Sequence, residues 1–230
     1  MPDMPLTARS GQRLGQVVLD ELRERLLDGR YAPGSRISIE DVRADFGMSK
    51  QPVMDAMRRL EATGLVEIIP QSGCRVASYS LREVRDFFIL FGRFEGEIAA
   101  AAADRRSVDQ LAALDATWQR IEELQSRTDV AGRSRGYRQL NRELHLVIHQ
   151  MAHSRVMGEL SARMWDMSDF FISTLGGAGQ LSEAVADRNH DHDVIRSAIR
   201  TGNVEVARVA MQAHITGTLS LFNARLEETA

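Results

Sequence analysis

Three glycines, Gly29, Gly47 and Gly64, each stand directly after a stretch of helical periodicity and cut the front of the chain into short pieces. None of those pieces can grow into a long rod. The first helix is expected over 13–28, where Leu14, Val17, Val18, Leu22 and Leu26 recur at helical spacing. A turn follows at Pro33-Gly34, and Ser38 then opens a second helix with Asp41 placed as in a capping box and Val42 and Phe46 facing inward. Ser49 caps a third, where Pro52 is tolerated because the first turn has no intrahelical N–H bond to lose. Its buried stripe is Val53, Ala56, Met57 and Leu60. Behind Gly64, LVEII and CRVASY alternate around the turn PQSG, which predicts a two-stranded β-hairpin.

From residue 79 onward the chain reads as helix, over roughly 81–104, 107–126, 134–152, 155–174, 182–200 and 204–227. Ser107 and Asn203 are the expected N-caps, and Gly132 and the segment 176–179 (Gly-Gly-Ala-Gly) the expected breaks. The predicted fold is mainly α. Residues 1–12 are expected to be disordered, 13–78 to form a winged helix-turn-helix, and 79–230 to form a six- to seven-helix bundle able to close around a pocket. No run of about 18 apolar residues exists, so no membrane-spanning segment is expected. The start lacks a basic-then-apolar leader, and the one cysteine, Cys74, forbids an internal disulfide, so a cytoplasmic location is expected.

Charge sets a limit on function. Residues 1–80 hold 11 Lys plus Arg against 11 Asp plus Glu, so any contact with nucleic acid must come from local placement of charge. The helix order supplies such a place. In a helix-turn-helix the second helix of the pair packs its apolar side on the first and offers its N-terminal turn to the major groove. Lys50 and Gln51 stand in that turn, Arg58 lies two turns on, and Ser72-Gly73 lets the wing tip approach closely. Helical modules that bind no DNA share the pattern, so a protein-binding adaptor is a competing reading.

All six histidines lie in the back half. Asn141 and His145 are four apart and emerge on one helix face, while His192 and His214 come from two other helices. Three imidazoles converging in a bundle suit a divalent ion, and an open fourth position could activate water, which makes a metalloenzyme a second reading. Ordinary surface or partly buried histidines fit the spacing too. His190 rivals His192, while His149 and His153 read as peripheral. No nucleophile elbow, phosphate-cradling glycine loop or nucleotide fingerprint is present, and the chain is expected not to be an enzyme.

The stretch Ser49-Lys50-Gln51-Pro52-Val53-Met54-Asp55-Ala56-Met57-Arg58-Arg59-Leu60-Glu61, then Gly64-Leu65-Val66 and Gly73, resembles the winged helix of GntR-type bacterial transcription regulators. The helical remainder resembles the effector domain of the FadR subfamily. The resemblance implies a homodimer that reads double-stranded operator DNA through Arg36, Ser49, Lys50, Gln51, Met54, Arg58 and Gly73. Lys50 and Met54 replace the family's usual arginines, and Glu40 stands where a phosphate-contacting arginine is common, which implies a different operator and a gentler salt slope. It also implies a divalent metal, zinc first and nickel or another ion next, held by His145, His192 and His214. Asn141 assists where the family has aspartate, which weakens the site. Arg93 matches an arginine that such domains place near the metal, and with Asn141 it would grip a small organic acid effector; the bland alternative is an Arg93–Glu97 surface pair. A repressor released by a carboxylate metabolite, away from any membrane, is the function so implied.

Overall fold

The computed structural model describes residues 6–125, 130–175 and 185–222. The chain divides into two compact units, Met1–Tyr79 with Asp166–Thr174, and Ser80–Trp165 with Leu175–Ala230.

In the first unit the helices are α1 (Leu6–Leu27), α2 (Ile39–Phe46) and α3 (Lys50–Ala62), and the strands are β1 (Arg36–Ile37), β2 (Val66–Ile69) and β3 (Gly73–Val76). Helix α1 starts seven residues before the expected Arg13, so the stretch from Leu6 to Gln12 is helical rather than disordered. Residues 1–5 lie outside the described residues. Val18, Leu22 and Leu26 are buried as expected, but Val17 is 54% exposed and Leu19 takes its place. Ser38 accepts the N–H of Asp41 at 3.1 Å, and Gly47 ends α2 in the left-handed region at φ 60°. The stripe Val53, Ala56, Met57 and Leu60 is buried on α3. Gly64 follows at φ 82°, with the N–H of Leu65 returning to the carbonyl of Leu60 at 3.1 Å.

The wing has three strands, in the order β1-β3-β2, all antiparallel. Strand β1 is the addition to the expected hairpin. Two residues are too few to show any periodicity, and only their pairing with Arg75 and Cys74 makes them a strand. Cys74 is buried in this sheet as a small packing residue, and burial pushes its thiol pKa up. The Asp166–Thr174 segment belongs to this unit through Asp166, whose two oxygens accept Nε and NH2 of Arg23 at 2.7 and 2.6 Å.

The second unit contains α4 (Leu81–Arg105), α5 (Val108–Gln125), α6 (Val130–Met151), most of α7 (Arg155–Thr174), α8 (Val185–Thr201) and α9 (Val204–Thr216), followed by a 3-10 turn, Gly217–Phe222. These are the six expected helices. Ser107 and Asn203 cap α5 and α9 as read from the sequence. Gly132 does not break the chain, because it lies inside α6, where one glycine is tolerated in an otherwise helical run. The segment 176–179 lies outside the described residues.

Helix α4 is the centre of the bundle. A full capping box of Ser80 and Glu83 starts it, and Phe88, Phe91, Ile98, Ala99, Ala102 and Ala103 line its buried side. Gly92 and Gly96 let α9 approach. A Cβ on Gly96 would stand 2.9 Å from the carbonyl oxygen of Arg208, and one on Gly92 3.0 Å from that of Gln212. We therefore expect Gly96→Val to force the two backbones apart and cost about 1–3 kcal/mol. Thermal melts of the purified variant check this, and an unchanged midpoint would contradict it.

Candidate DNA-reading face and buried histidine centre

Ser49 sits at the N-cap of α3 in extended backbone, yet its hydroxyl makes no capping hydrogen bond, unlike Ser38 and Ser80. Lys50, Gln51 and Arg58 are exposed, and Met54 is half-buried. One residue that the sequence reading did not single out organises this face. The Oδ1 of Asp55 accepts Nε2 of Gln51 at 3.0 Å and NH1 of Arg58 at 2.7 Å. Its positions four after Gln51 and three before Arg58 were the available signal. Glu40, read as a missing phosphate contact, is paired with Arg43 at 2.7 Å. At the wing tip Gly73 has φ 101°, and a Cβ there would lie 3.9 Å from the Arg36 guanidinium. Arg36 faces Arg75 across the β1–β3 ladder, and Arg75 is held by Glu67 at 2.8 Å.

In the second unit the three histidines named from sequence come together. His145 arrives from α6, His192 from α8 and His214 from α9, and one ring nitrogen of each lies within 4.8 Å of the others. All three are almost fully buried. The Nε2 atoms of His192 and His214 are 3.1 Å apart. Asp191 stands 3.1 Å from Nδ1 of His214, which makes that nitrogen the proton carrier and turns the Nε2 lone pair toward His192. Tyr137 stacks on His192, and Trp165 covers His145 with ring centroids 4.3 Å apart.

Burial pushes the pKa of His145 down, and those of His192 and His214 well down. For His192 the neighbouring His214 and His145 add to that effect, and for His214 the Arg188 cation does. The rings are therefore neutral near pH 7, the form in which imidazole offers a lone pair. Both nitrogens of His145, Nδ1 of His192 and Oδ1 of Asn141 are buried without hydrogen-bond partners. Neutral rings whose nitrogens lie within 4.8 Å of one another, several ring nitrogens having no hydrogen-bond partner, fit a divalent ion with three imidazole ligands. His145, His192 and His214 can hold a metal.

Behind His145 lies a carboxylate that the sequence reading took only as an interruption of an apolar run. Glu95 of α4 is 0% exposed. Its Oε1 accepts the hydroxyl of Ser161, and its Oε2 lies 3.0 Å from Nε2 of His149 and 3.6 Å from Nδ1 of His145. Burial alone would raise this carboxyl, but His145 and His149 outweigh it and hold the group down at about 2. His149 is thus no peripheral residue: it ties α6 to α4. A charge within an otherwise buried helix face was the signal, because such charges need partners.

The structure does not bring Arg93 to the histidines. It is exposed and lies about 200° around α4 from Glu95. Nor does it pair with Glu97, which accepts Arg208 at 2.8 Å. His190 and His153 are exposed as well.

Comparison with known proteins decides what this arrangement belongs to. Residues 14–76 match the model of bacterial regulatory proteins of the gntR family, and residues 91–217 match the FCD domain. The chain is a gntR-family regulator with an FCD domain. The YdhC HTH-type transcriptional regulator of Bacillus subtilis (strain 168) is 22% identical over 91% of each chain. The Uxu operon regulator of Haemophilus influenzae is 27% identical over 90% of this chain and 79% of its own. The transcriptional repressor RspR of Escherichia coli (strain K12) is 33% identical over 40% of each. Among solved structures, E. coli McbR/YncC superposes at a TM-score of 0.74 with 18% identity, covering 93% of this chain and 98% of its own. The protein is a DNA-binding transcription regulator and not an enzyme. Among the described residues no helix is long and apolar enough to cross a membrane.

Buried neutral histidines leave a mark on stability. Each folded-state pKa lies below the ordinary value near 6.5, so the unfolded chain takes up protons that the folded chain refuses. Stability is then full above about pH 6.5 and falls as the pH drops below it, by about 1.4 kcal/mol per pH unit for each such proton. Melting midpoints of metal-free protein between pH 7.5 and 5.5 should fall, and His192→Gln should flatten the fall. Equal slopes in both proteins would contradict the assignment.

Proposed function

We propose that this regulator is a homodimeric repressor whose two heads read an operator with two-fold symmetry, and that a small organic acid bound beside a metal ion releases it from DNA. On α3, Lys50, Gln51 and Met54 meet base edges, while Ser49 and Arg58 hold the backbone. Arg36 and Gly73 bring the wing to the duplex. The uncapped hydroxyl of Ser49 and the Asp55 clamp on Gln51 and Arg58 support this division, since both leave the first turns of α3 preset for a duplex. Repression is supported by the repressor RspR, which matches 40% of this chain.

The observation that carries the effector half is the convergence of His145, His192 and His214. We take zinc as the ion, with Asn141 Oδ1 as the fourth donor or as the partner of a bound water. A bound ion would polarise an oxygen ligand at its open position. An acid held there ties α6, α8 and α9 together, and any preference it has for one arrangement of the bundle shifts the dimer toward that arrangement.

Footprinting on the chain's own upstream DNA, at several salt concentrations, tests the first half. Lys50→Ala should weaken specific binding by about 1–3 kcal/mol and relax discrimination at one base pair, whereas Arg58→Ala should weaken all sequences alike and reduce the salt slope by about 1. Absence of salt-sensitive, sequence-preferring binding would refute the reading. For the metal half, Asn141→Asp should raise zinc affinity by about tenfold or more, because a carboxylate is the stronger ligand; unchanged affinity in zinc competition would remove Asn141 from the site.

A further inference from the structure

We propose that Arg188 is the anion anchor of the histidine chamber, gripping the carboxylate of the effector with the hydroxyl of Tyr137 beside it. This rests on the small-acid reading given above. Arg188 lies one turn ahead of His192 on α8, so the two side chains leave the helix on one face. The residue is 7% exposed. Its NH1 donates to the carbonyl of His214 at 2.5 Å and its NH2 to Oγ1 of Thr218 at 2.7 Å. Both acceptors are neutral, and among the described residues no carboxylate forms an ion pair with it.

Three other arginines of this bundle do have carboxylate partners. Arg196, two turns further along α8, reaches Asp115 at 2.8 Å, Arg200 shares the same aspartate, and Arg208 pairs with Glu97. A guanidinium out of water without an ion-pair partner is strongly unfavourable, so a fold that keeps one holds it for an anion. Desolvation accordingly pulls the Arg188 pKa down, with Tyr137 and Asp191 opposing.

A donor on α6 is free for the same group: Tyr137 Oη is buried without a hydrogen-bond partner. Tyr137 leaves α6 one turn before Asn141 and two turns before His145, and its phenol lies within electrostatic range of Arg188. A guanidinium fork beside a phenol O–H is a receptor for a carboxylate, which accepts from both.

The test is a thermal-shift and calorimetric titration of the full-length protein, zinc-loaded and chelator-treated, with acetate, lactate, succinate and citrate. At least one acid should raise the wild-type midpoint. Arg188→Gln should weaken that acid by about 100-fold and abolish the shift, and Arg188→Lys and Tyr137→Phe should weaken it by about tenfold. Arg93→Ala should leave it unchanged. If Arg188→Gln does not fold by circular dichroism, the lysine and phenylalanine variants decide. Undiminished affinity in them, or loss of the shift in Arg93→Ala instead, overturns the anchor and leaves the small-acid reading standing. No shift of the wild type with any of the acids overturns both.

Discussion

Two imidazole nitrogens that face each other at 3.1 Å inside the helical bundle are the constraint around which the FCD domain is arranged. Neutral rings at that distance can share one proton or share one cation, and each alternative leaves a mark on the neighbours. Asp191 fixes the tautomer of His214, so its lone pair points inward. His145 completes the set while neither of its nitrogens has a hydrogen-bond partner. Three helices thus end their polar side chains on one point. The packing that brings them there is unusually close on one side, where Gly92 and Gly96 admit the backbone of α9 against α4. Opening that helix contact would pull His214 away from its partners.

The same domain also holds a second buried polar group that is fully satisfied. Glu95 takes Ser161 and His149 on its two oxygens and stays ionised in the core, with His145 on its far side. This contrast separates structural polarity from functional polarity in one core. A network in which every member has a partner fixes the packing of α4, α6 and α7, whereas the histidine cluster keeps unpaired polar atoms, the feature on which the proposed ligand site rests. The DNA-reading unit is built by the opposite rule, with its polar residues on the outside. There Asp55 limits the rotamers of Gln51 and Arg58 before any duplex arrives, which reduces the ordering that binding must impose.

Much of this was legible in the chain because the signals were local. Gly47 and Gly64 stop their helices in the left-handed region that glycine favours, and the stripe from Val53 to Leu60 needs only a helical period to be seen. The three histidines were legible because a spacing of four put Asn141 and His145 on one face and the family resemblance supplied the other two. What stayed hidden depends on contacts between residues far apart. Strand β1 exists only by pairing with β3, and Glu95 meets His149 across 54 positions. The exposed position of Arg93 was hidden for a related reason: a motif position says which helix carries a residue, not which way that helix is turned in the bundle. Arg188 shows the converse, since nothing in its neighbours along the chain reveals that it is buried without a counter-charge.

X-ray absorption at the metal edge of purified, metal-loaded protein tests the central claim most directly. The account predicts one zinc per chain with three imidazole ligands at about 2.0–2.1 Å and one or two oxygen neighbours, reduced to two imidazoles in His214→Ala. A spectrum without imidazole scattering, or one unchanged by His214→Ala, would contradict it.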